Sequence, residues 1–305
     1  MNLVDLLSLD QKRQMMSEKA WFDEVCRTKK LFLGASYFDS LFATACWLEQ
    51  HLKKCQKEPV SKKLLVGLSG AQGSGKSTFA TLVAELIEHL SGDQTLILSI
   101  DDFYLTRAER QELADSIHPL LATRGVPGTH DIKMMSQVIS HALNDREAIL
   151  PQFSKSKDDR AGQRTITTDQ FGIILCEGWC WGAPPATGKE LLQPVNDLEA
   201  EEDADCIWRC YVNDQLIQYQ SLFETQCSVF MKVPDMASIV NWRWQQEQGL
   251  TAGEGVMDRP AVARFVMYYE RISRRMLRLM PDKVDLVLEL GVNHEFIGSR
   301  LRHLY

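Results

Sequence analysis

The sequence GAQGSGKS at residues 70–77 matches the phosphate-binding pattern G-x-x-x-x-G-K-[ST]. An apolar run at 64–69 comes just before it and predicts a short buried strand. Apolar residues at helical spacing follow over 79–86 and predict a helix. Strand, glycine loop and helix occur in the order that the motif requires. The sequence therefore predicts a phosphate-binding loop instead of a chance match in a glycine-rich turn.

Each residue type in this loop has a physical role. Gly70, Gly73 and Gly75 allow backbone conformations that other residues avoid, so that N–H groups can turn inward around phosphate oxygens. The start of the following helix adds a partial positive charge. Lys76 is placed to reach the outer phosphates, and the Ser77 hydroxyl is placed to bind Mg²⁺.

The composition narrows the class of protein. The chain has 305 residues, of which 45% are hydrophobic and 25% charged, as expected for a soluble globular protein. A formal net charge of −7 argues against a general binder of nucleic acid or membrane surfaces. No apolar run reaches the length of a membrane span, and the first residues do not resemble a signal peptide. We therefore expect a cytoplasmic protein whose eight cysteines are reduced thiols.

The first sixty residues differ from the rest of the chain. Residues 1–60 contain apolar residues at helical spacing and no strand alternation. We expect a helical N-terminal extension that packs against a nucleotide-binding domain at 61–305. A solvated linker between the two is predicted by a basic cluster at Lys53, Lys54, Lys57, Lys62 and Lys63.

Two adjacent carboxylates follow the second predicted strand, which covers 95–100 and runs into Asp101, Asp102, Phe103 and Tyr104. Ligands of open α/β sheets bind beyond the carboxyl ends of the strands. One carboxylate can accept a proton from a substrate hydroxyl, while the other orients it or binds metal-bound water. Successive side chains of a strand point to opposite faces, so we expect two different roles. The residues alone leave the assignment open, and a helix cap is the alternative interpretation.

Two further segments carry candidate ligand-binding residues. The turn RGVPGTHD constrains Arg124 and His130, which indicates an anionic or hydroxylated ligand. An ordinary surface turn is the alternative. The mixed-charge stretch 153–160 has no periodicity and predicts a loop that presents Lys155 and Arg160 to substrate or phosphate.

The third predicted strand, at 171–177, ends in an acidic residue. Glu177 can hold Mg²⁺ through water next to Ser77, and a strand-terminal glutamate that faces solvent is the alternative. Further strands are predicted at 228–233 and 284–290. We therefore expect an α/β fold of the P-loop NTPase type, with a mainly parallel sheet flanked by helices and the helical extension at the N-terminus.

Three other stretches give further predictions. The acidic stretch 197–205 predicts a solvated insertion. The glycine-containing stretch 249–255 predicts a loop that can hinge a lid. Four arginines lie on or near a helix predicted at 262–279, and most of them are expected to be solvated or paired with acids.

The chain resembles the P-loop small-molecule kinases, which include uridine kinase, phosphoribulokinase and pantothenate kinase. The phosphate loop, SIDDFY, RGVPGTHD and a strand ending in CEGW carry the resemblance, which spans about residue 64 to the C-terminus. Within that group, PQFSKSKDDRAG resembles the P-x-[FY]-D-K-S element of D-glycerate 3-kinases, although Ser154 replaces its aspartate. YVNDQLIQY, NWRWQQE and FVMYYERISRRML resemble segments of bacterial members.

The resemblance implies an ATP-dependent kinase for a hydroxyl of a small metabolite, D-glycerate, with ATP and Mg²⁺ as cofactors. It implies that Asp101 is the base on the acceptor hydroxyl, that Lys76 acts in catalysis, and that Ser77 and Glu177 hold the metal. The predicted substrate-binding residues are Asp102, Tyr104, Arg124, His130 and Lys155. The predicted ATP-binding residues are Gly70, Ala71, Gln72, Gly73, Ser74, Gly75, Lys76, Ser77 and Thr78.

Two other functions are consistent with the residues. One is a kinase for another small alcohol, such as a nucleoside or a pantothenate-like compound. The other is a non-catalytic switch protein that responds to a nucleotide. The chain lacks the N-K-x-D guanine-recognition motif, which weakens a GTPase switch. A switch would also have no need of SIDDFY or the RGVPGTHD turn.

Overall fold

The computed structural model describes residues 2–58, 62–249 and 257–302. The strands are β1 (Leu64–Gly70), β2 (Gln94–Ser99), β3 (Ala148–Ser154), β4 (Asp159–Ile166), β5 (Phe171–Gly178), β6 (Cys227–Lys232), β7 (Leu286–Leu290) and β8 (Phe296–Leu301). The helices are α1 (Leu9–Ser17), α2 (Lys19–Lys29), α3 (Ala35–Cys55), α4 (Lys76–Ser91), α5 (Arg107–Ser116), α6 (Ile132–Leu143), α7 (Gly188–Leu191), α8 (Asp197–Glu202), α9 (Ile207–Gln218), α10 (Met236–Gln248) and α11 (Arg259–Leu279). Short 3₁₀ helices cover Leu3–Leu6, Ile100–Phe103, Pro119–Ala122, Tyr219–Ser221 and Met280–Asp282. Across the described ranges, no helix combines the length and the apolar character that a membrane crossing requires.

Six strands form the central sheet, in the order β2-β5-β1-β6-β7-β8. In this order, each neighbouring pair from β2 to β7 is parallel, whereas β8 pairs antiparallel with β7. Every residue of β1 is buried, as expected for a central strand with neighbours on both edges and helices on its faces. The prediction of an α/β fold with a mainly parallel sheet flanked by helices is confirmed.

The parallel arrangement brings several strand ends to one edge of the sheet. Glu177, near the end of β5, is in register with Leu68 of β1 and with Ser99 of β2. The phosphate loop begins just after β1, and the two aspartates follow just after β2. The fold therefore places the loop and both acidic strand ends side by side, at the edge where open α/β sheets bind ligands.

The N-terminal extension is packed into the body of the protein. Tyr37, at the start of α3, contacts the rings of Phe79 in α4 and Phe296 in β8, with centroids 6.1 and 4.9 Å away. The backbone N–H of Leu3 donates to Ser299 Oγ at 2.7 Å, which ties the first helical turn to β8. One hydrophobic core contains residues of both the extension and α4. The extension is helical, as predicted, whereas the division between 1–60 and 61–305 stays a prediction.

The stretch 153–160 was predicted as a loop; 155–158 form a turn, whereas the residues on either side of the turn belong to strands. β3 and β4 form an antiparallel hairpin in which Phe153 pairs with Arg160 and Ser154 with Asp159. Most residues of β4 are exposed, so the ribbon lacks the apolar alternation by which a half-buried strand is recognised in a sequence.

The acidic stretch 197–205 was predicted as a solvated insertion; most of its residues are exposed, but the prediction was wrong for two of its acids. Glu199 and Asp203 are only 1% and 2% exposed. Glu199 pairs with Arg271 of α11 at 2.5 Å, and Asp203 pairs with Arg209 of α9 at 2.9 Å. The burial is possible because arginines from two other helices neutralise both carboxylates.

Two remaining stretches need comment. Lys63 belongs to the predicted solvated linker, but it is buried and its ammonium donates to the carbonyl oxygens of Ala142 and Thr168 at 2.7 and 2.6 Å. These hydrogen bonds connect the residue just before β1 with α6 and with the segment just before β5. The predicted hinge loop at 249–255 lies outside the described residues except for Gly249.

Candidate active site

The phosphate loop joins β1 to α4 at the carboxyl edge of the sheet. Gly73 and Gly75 have φ angles of 78° and 82°, in the left-handed region that favours glycine. A Cβ atom on Gly73 would lie only 2.8 Å from Trp242 Cβ. His294 Nε2 lies 2.8 Å from the Gly73 carbonyl oxygen, and its ring stacks on Trp242. The loop is therefore held in place by α10 and by the segment after β7.

The predicted ATP-binding residues, 70–78, run from the last residue of β1 through this loop into the first turn of α4. Lys76 and Ser77 open the helix, where backbone N–H groups have no intrahelical acceptor. The Ser74 hydroxyl is buried and has no hydrogen-bond partner among the described residues. Unpaired donors at a helix N-terminus suit the oxygens of a phosphate chain.

Lys76, Ser77 and Glu177 form a contact group beside the loop. Ser77 Oγ donates to Glu177 Oε1 at 2.7 Å, and Lys76 Nζ lies 3.7 Å from Glu177 Oε2. Burial alone would lower the pKa of Lys76, but the charges of Glu177 and Asp101 outweigh it and raise the pKa. Lys76 is therefore a cation at physiological pH, as a phosphate-binding lysine must be.

The same group fits a magnesium ion. Glu177 is 3% exposed, and within the described ranges its Oε2 has no hydrogen-bond partner. No group of three or more His, Cys, Asp and Glu side chains suited to a metal occurs in the described part of the chain. Mg²⁺ is typically held by one or two protein oxygens together with water and phosphates. The Ser77 hydroxyl and the Glu177 carboxylate supply that kind of ligand set.

Asp101 does not lie on an extended strand as predicted. β2 ends at Ser99, and Asp101 lies in a 3₁₀ helix instead. Its Oδ1 accepts a hydrogen bond from the Tyr104 hydroxyl at 2.6 Å, and its Oδ2 accepts one from Lys155 Nζ at 2.9 Å. Burial raises the pKa of Asp101, but the charges of Lys155 and Lys76 outweigh burial and hold it well below its usual range.

Asp102 has surroundings that differ from those of Asp101, while the difference in role stays a prediction. Asp102 is exposed and lines a cavity of about 180 Å³ with Gln152 and Arg164 of the hairpin. Loss of hydration raises its pKa, and the charges of Asp101 and Glu177 raise it further. Asp101 is the carboxylate that interacts with Lys76.

Arg124 lies in the predicted turn, where its charge is already paired. Its guanidinium forms an ion pair with Asp158 and lies over the Phe153 ring, 5.5 Å from the centroid. Asp158 has a left-handed φ of 54° and also pairs with Arg110 at 3.0 Å. Arg124 therefore links the turn to the hairpin.

His130 is 5% exposed and lies between two tyrosines. Its ring stacks on Tyr104, with centroids 4.7 Å apart, and its Nδ1 lies 3.1 Å from the Tyr219 hydroxyl. That hydroxyl accepts the Gly128 N–H at 2.8 Å, so its own hydrogen is directed at Nδ1 and the imidazole hydrogen is assigned to Nε2. Burial lowers the pKa of His130 to about 4. His130 is thus neutral, and its Nε2–H has no partner among the described residues.

The hairpin supplies two more cations. Lys155 has 65% of its side chain exposed, although it pairs with Asp101. Arg160 donates to the Tyr104 carbonyl oxygen at 2.9 Å and to Asp131 at 3.1 Å. The structure therefore brings Tyr104, His130 and Lys155 together around Asp101, whereas Arg124 is paired with Asp158 and Asp102 lies on the outer side.

Sequence reasoning missed three residues of this site. Tyr219 orients His130, and its only signal was the segment YVNDQLIQY in the family resemblance. Asp158 neutralises Arg124, but it stood in a mixed-charge stretch without a pattern. Trp242 packs against Gly73, and a tryptophan on a helix gives no indication of which glycine it will meet.

Known proteins are similar to this chain over most of its length. No protein-family profile matches it. An uncharacterized kinase of Schizosaccharomyces pombe, mug58, is 29% identical over 257 residues, which cover 77% of this chain and 91% of that protein. The probable ATP-dependent kinase TDA10 of Saccharomyces cerevisiae is 31% identical over 254 residues, which cover 77% of this chain and 81% of the yeast protein.

A solved structure extends the comparison. The D-glycerate 3-kinase from Cryptococcus neoformans superposes with a TM-score of 0.73 at 25% identity, over 88% of this chain and 99% of that one. The fold and the phosphate loop are those of a P-loop nucleotide-binding protein. The chain belongs to the family of ATP-dependent P-loop kinases that includes the S. cerevisiae protein.

Proposed function

We propose that this protein transfers the terminal phosphoryl group of ATP to a hydroxyl of D-glycerate, with Mg²⁺ as cofactor. The similarity to the D-glycerate 3-kinase along nearly its whole length is the observation that carries the choice of acceptor. The grouping of Asp101, Lys155 and His130 beside Lys76 supports transfer to a hydroxyl of a small anionic compound.

The nucleotide end of the site binds the phosphate chain. Lys76 and the N–H groups of the loop hold the outer phosphates, and positive charge there stabilises the transition state. Ser77 and Glu177 would hold Mg²⁺, which when bound neutralises charge on the phosphate oxygens. In this reaction class the protein contributes positioning and electrostatic stabilisation more than covalent chemistry.

Asp101 orients the acceptor. Its low pKa keeps the carboxylate ionised, so it accepts a hydrogen bond from the substrate hydroxyl and takes the proton as the new bond to phosphorus forms. Tyr104 and Lys155 each bind one of its oxygens and fix the plane of the carboxylate. A fixed carboxylate presents its remaining lone pairs in one direction.

The acceptor carboxylate needs a cation, and Lys155 suits this role. Its ammonium has three hydrogens, one of which serves Asp101, and it is largely exposed. Arg124 suits it less well, because Asp158 already neutralises its charge. His130 Nε2–H is a neutral donor for a second hydroxyl or a carboxylate oxygen of the substrate.

The test is ADP release by the purified protein with Mg²⁺ and ATP, measured without acceptor and with D-glycerate, uridine or pantothenate. We expect D-glycerate to raise ADP release well above the background, and the other two compounds to leave it unchanged. Omission of Mg²⁺ should abolish the stimulated rate.

The other outcomes distinguish the alternatives. A higher rate with uridine or pantothenate would make D-glycerate wrong and leave the kinase class intact. Nucleotide binding with no stimulation by any acceptor would support the switch protein instead.

A further inference from the structure

The N-terminal extension reaches the phosphate loop. Two contacts show that α2 runs antiparallel along α4. Trp21 stacks on His89, near the end of α4, whereas Lys29, later in α2, pairs with the earlier residue Glu85 at 2.7 Å. The chain then continues past Leu31 toward the start of α4. The extension therefore brings its α2–α3 connection to the helix turn that carries Ser77 and Thr78.

A cavity of about 300 Å³ lies at this meeting point. Its lining consists of Lys29, Leu31, Ser77, Thr78, Thr81 and Leu82. The volume is at the lower end of the range for small-ligand sites. The lining combines leucine side chains with hydroxyl groups and one ammonium, which suits a flat apolar ring attached to a polar sugar.

The position of the cavity relative to Asp101 indicates which part of the nucleotide it faces. Asp101 follows β2, at one end of the sheet, and transfer requires the terminal phosphate to point toward it. The extension packs on β8, at the opposite end, through Tyr37 and Phe296. The other end of the triphosphate, which carries the nucleoside, therefore extends toward the extension.

The start of the α2–α3 connection has a defined backbone conformation. The Leu31 N–H donates to the Cys26 carbonyl oxygen at 2.8 Å, and Lys30 adopts a left-handed φ of 56° that ends α2. Phe32 follows and is fully exposed, with no ring contact to any described residue. Phe32 is the next residue after Leu31 of the cavity lining, and an exposed aromatic ring is suited to stacking on a base.

We propose that this cavity is the adenosine subsite, with Lys29 and Leu31 of the extension as its outer wall and Phe32 as a cover for the base. The inference rests on the proposed ATP-dependent activity. The extension would then take a direct part in nucleotide binding, and the kinase site would be formed by the extension together with the phosphate loop and α4.

The test compares the affinities of ATP and inorganic tripolyphosphate, which lacks the nucleoside, by calorimetric titration of the full chain. Leu31→Trp fills the cavity and should weaken ATP about tenfold or more, by the cost of overpacking, while tripolyphosphate stays within about twofold. Phe32→Ala removes a fully exposed ring and should weaken ATP about fivefold or more, with tripolyphosphate again unchanged. Leu9→Trp, at a leucine 76% exposed elsewhere in the extension, is the matched control and should bind both ligands like the wild type.

The outcomes separate this inference from the proposed function. Wild-type ATP affinity in Leu31→Trp would overturn the subsite and leave the kinase activity intact. If Leu31→Trp loses its circular dichroism signal or loses both ligands equally, Phe32→Ala decides, and unchanged ATP affinity there would overturn the subsite. Failure of the wild type to bind either ligand would overturn both proposals.

Discussion

The two ends of the site are built in different ways. At the nucleotide end, backbone conformation makes the site: two left-handed glycines follow the central strand, and Trp242 packs against one of them. At the acceptor end, side-chain charges make it, through the pairs Asp101–Lys155, Arg124–Asp158 and Arg160–Asp131. In the reaction proposed above, phosphate would bind at the nucleotide end without exchange of these contacts, whereas a charged substrate would have to exchange contacts with the ion pairs of the acceptor end. Changes at the first end should therefore affect every acceptor, and changes at the second should affect the acceptor step alone.

The largest effect is expected from Lys76→Ala, at the nucleotide end. It removes a positive charge from the transferring phosphates and should lower turnover about 10³-fold with any acceptor. Thermal unfolding should stay close to that of the wild type. The control is Lys53→Ala, at a lysine with 62% of its side chain exposed in a surface ion pair. Near wild-type turnover in Lys76→Ala would contradict the role of the loop.

A somewhat smaller effect is expected from Asp101→Asn, at the acceptor end. The change keeps size and hydrogen bonding but removes the proton acceptor, so kcat and kcat/KM should fall together by about 10²-fold or more. ATP affinity should be largely retained, in contrast to a defect in nucleotide binding. Asp102→Asn is the control and should be milder, because Asp102 lies on the outer side of the site. An inactive Asp102→Asn with an active Asp101→Asn would reverse the assignment.

The smallest effect concerns stability and the buried His130. An unfolded histidine has a pKa near 6.5, whereas burial lowers the pKa of His130 to about 4. Between these values the unfolded chain binds a proton that the folded chain does not, so stability falls as the pH drops from 6.5 toward 4. The full difference is about 3 kcal/mol.

His130→Gln should remove this part of the pH dependence. Denaturant titrations at pH 7 and pH 4.5 should show a smaller loss of unfolding free energy in His130→Gln than in the wild type. His51→Gln, at a partly exposed histidine, is the control and should keep the wild-type slope. An identical pH dependence in His130→Gln and the wild type would mean that this residue is not the neutral donor of the acceptor end.

The same contrast explains how much the sequence could predict. Gly73, Lys76 and Ser77 were recognisable because the loop is local: its strand, its glycines and its helix are consecutive in the chain. The sheet followed from apolar runs such as 64–69, and Glu177 from its place at a strand end. Each of these inferences used residues close together in sequence.

The contacts of the acceptor end were not recognisable, because they join distant residues. Asp101 and Lys155 are 54 positions apart, and neither segment contains a pattern that indicates a contact with the other. The burial of Glu199 likewise depends on Arg271, 72 positions away. The argument for two roles assumed an extended chain through Asp101 and Asp102, but the chain turns into a 3₁₀ helix at Ile100, just before them. Charge pairing between elements is a property of the packed structure, so a single sequence contains no periodic signal for it.

The hydrogen bond from the Leu3 N–H to Ser299 Oγ has a consequence for folding during synthesis. The two residues are 296 positions apart, so ribosomes reach Ser299 roughly 15 to 60 s after Leu3 is made. Until β8 emerges, Tyr37 at the start of α3 has no Phe296 to cover it. A nascent chain with an uncovered apolar face is a substrate for chaperones. We therefore expect newly made copies to depend on chaperone protection until the last strand joins the sheet.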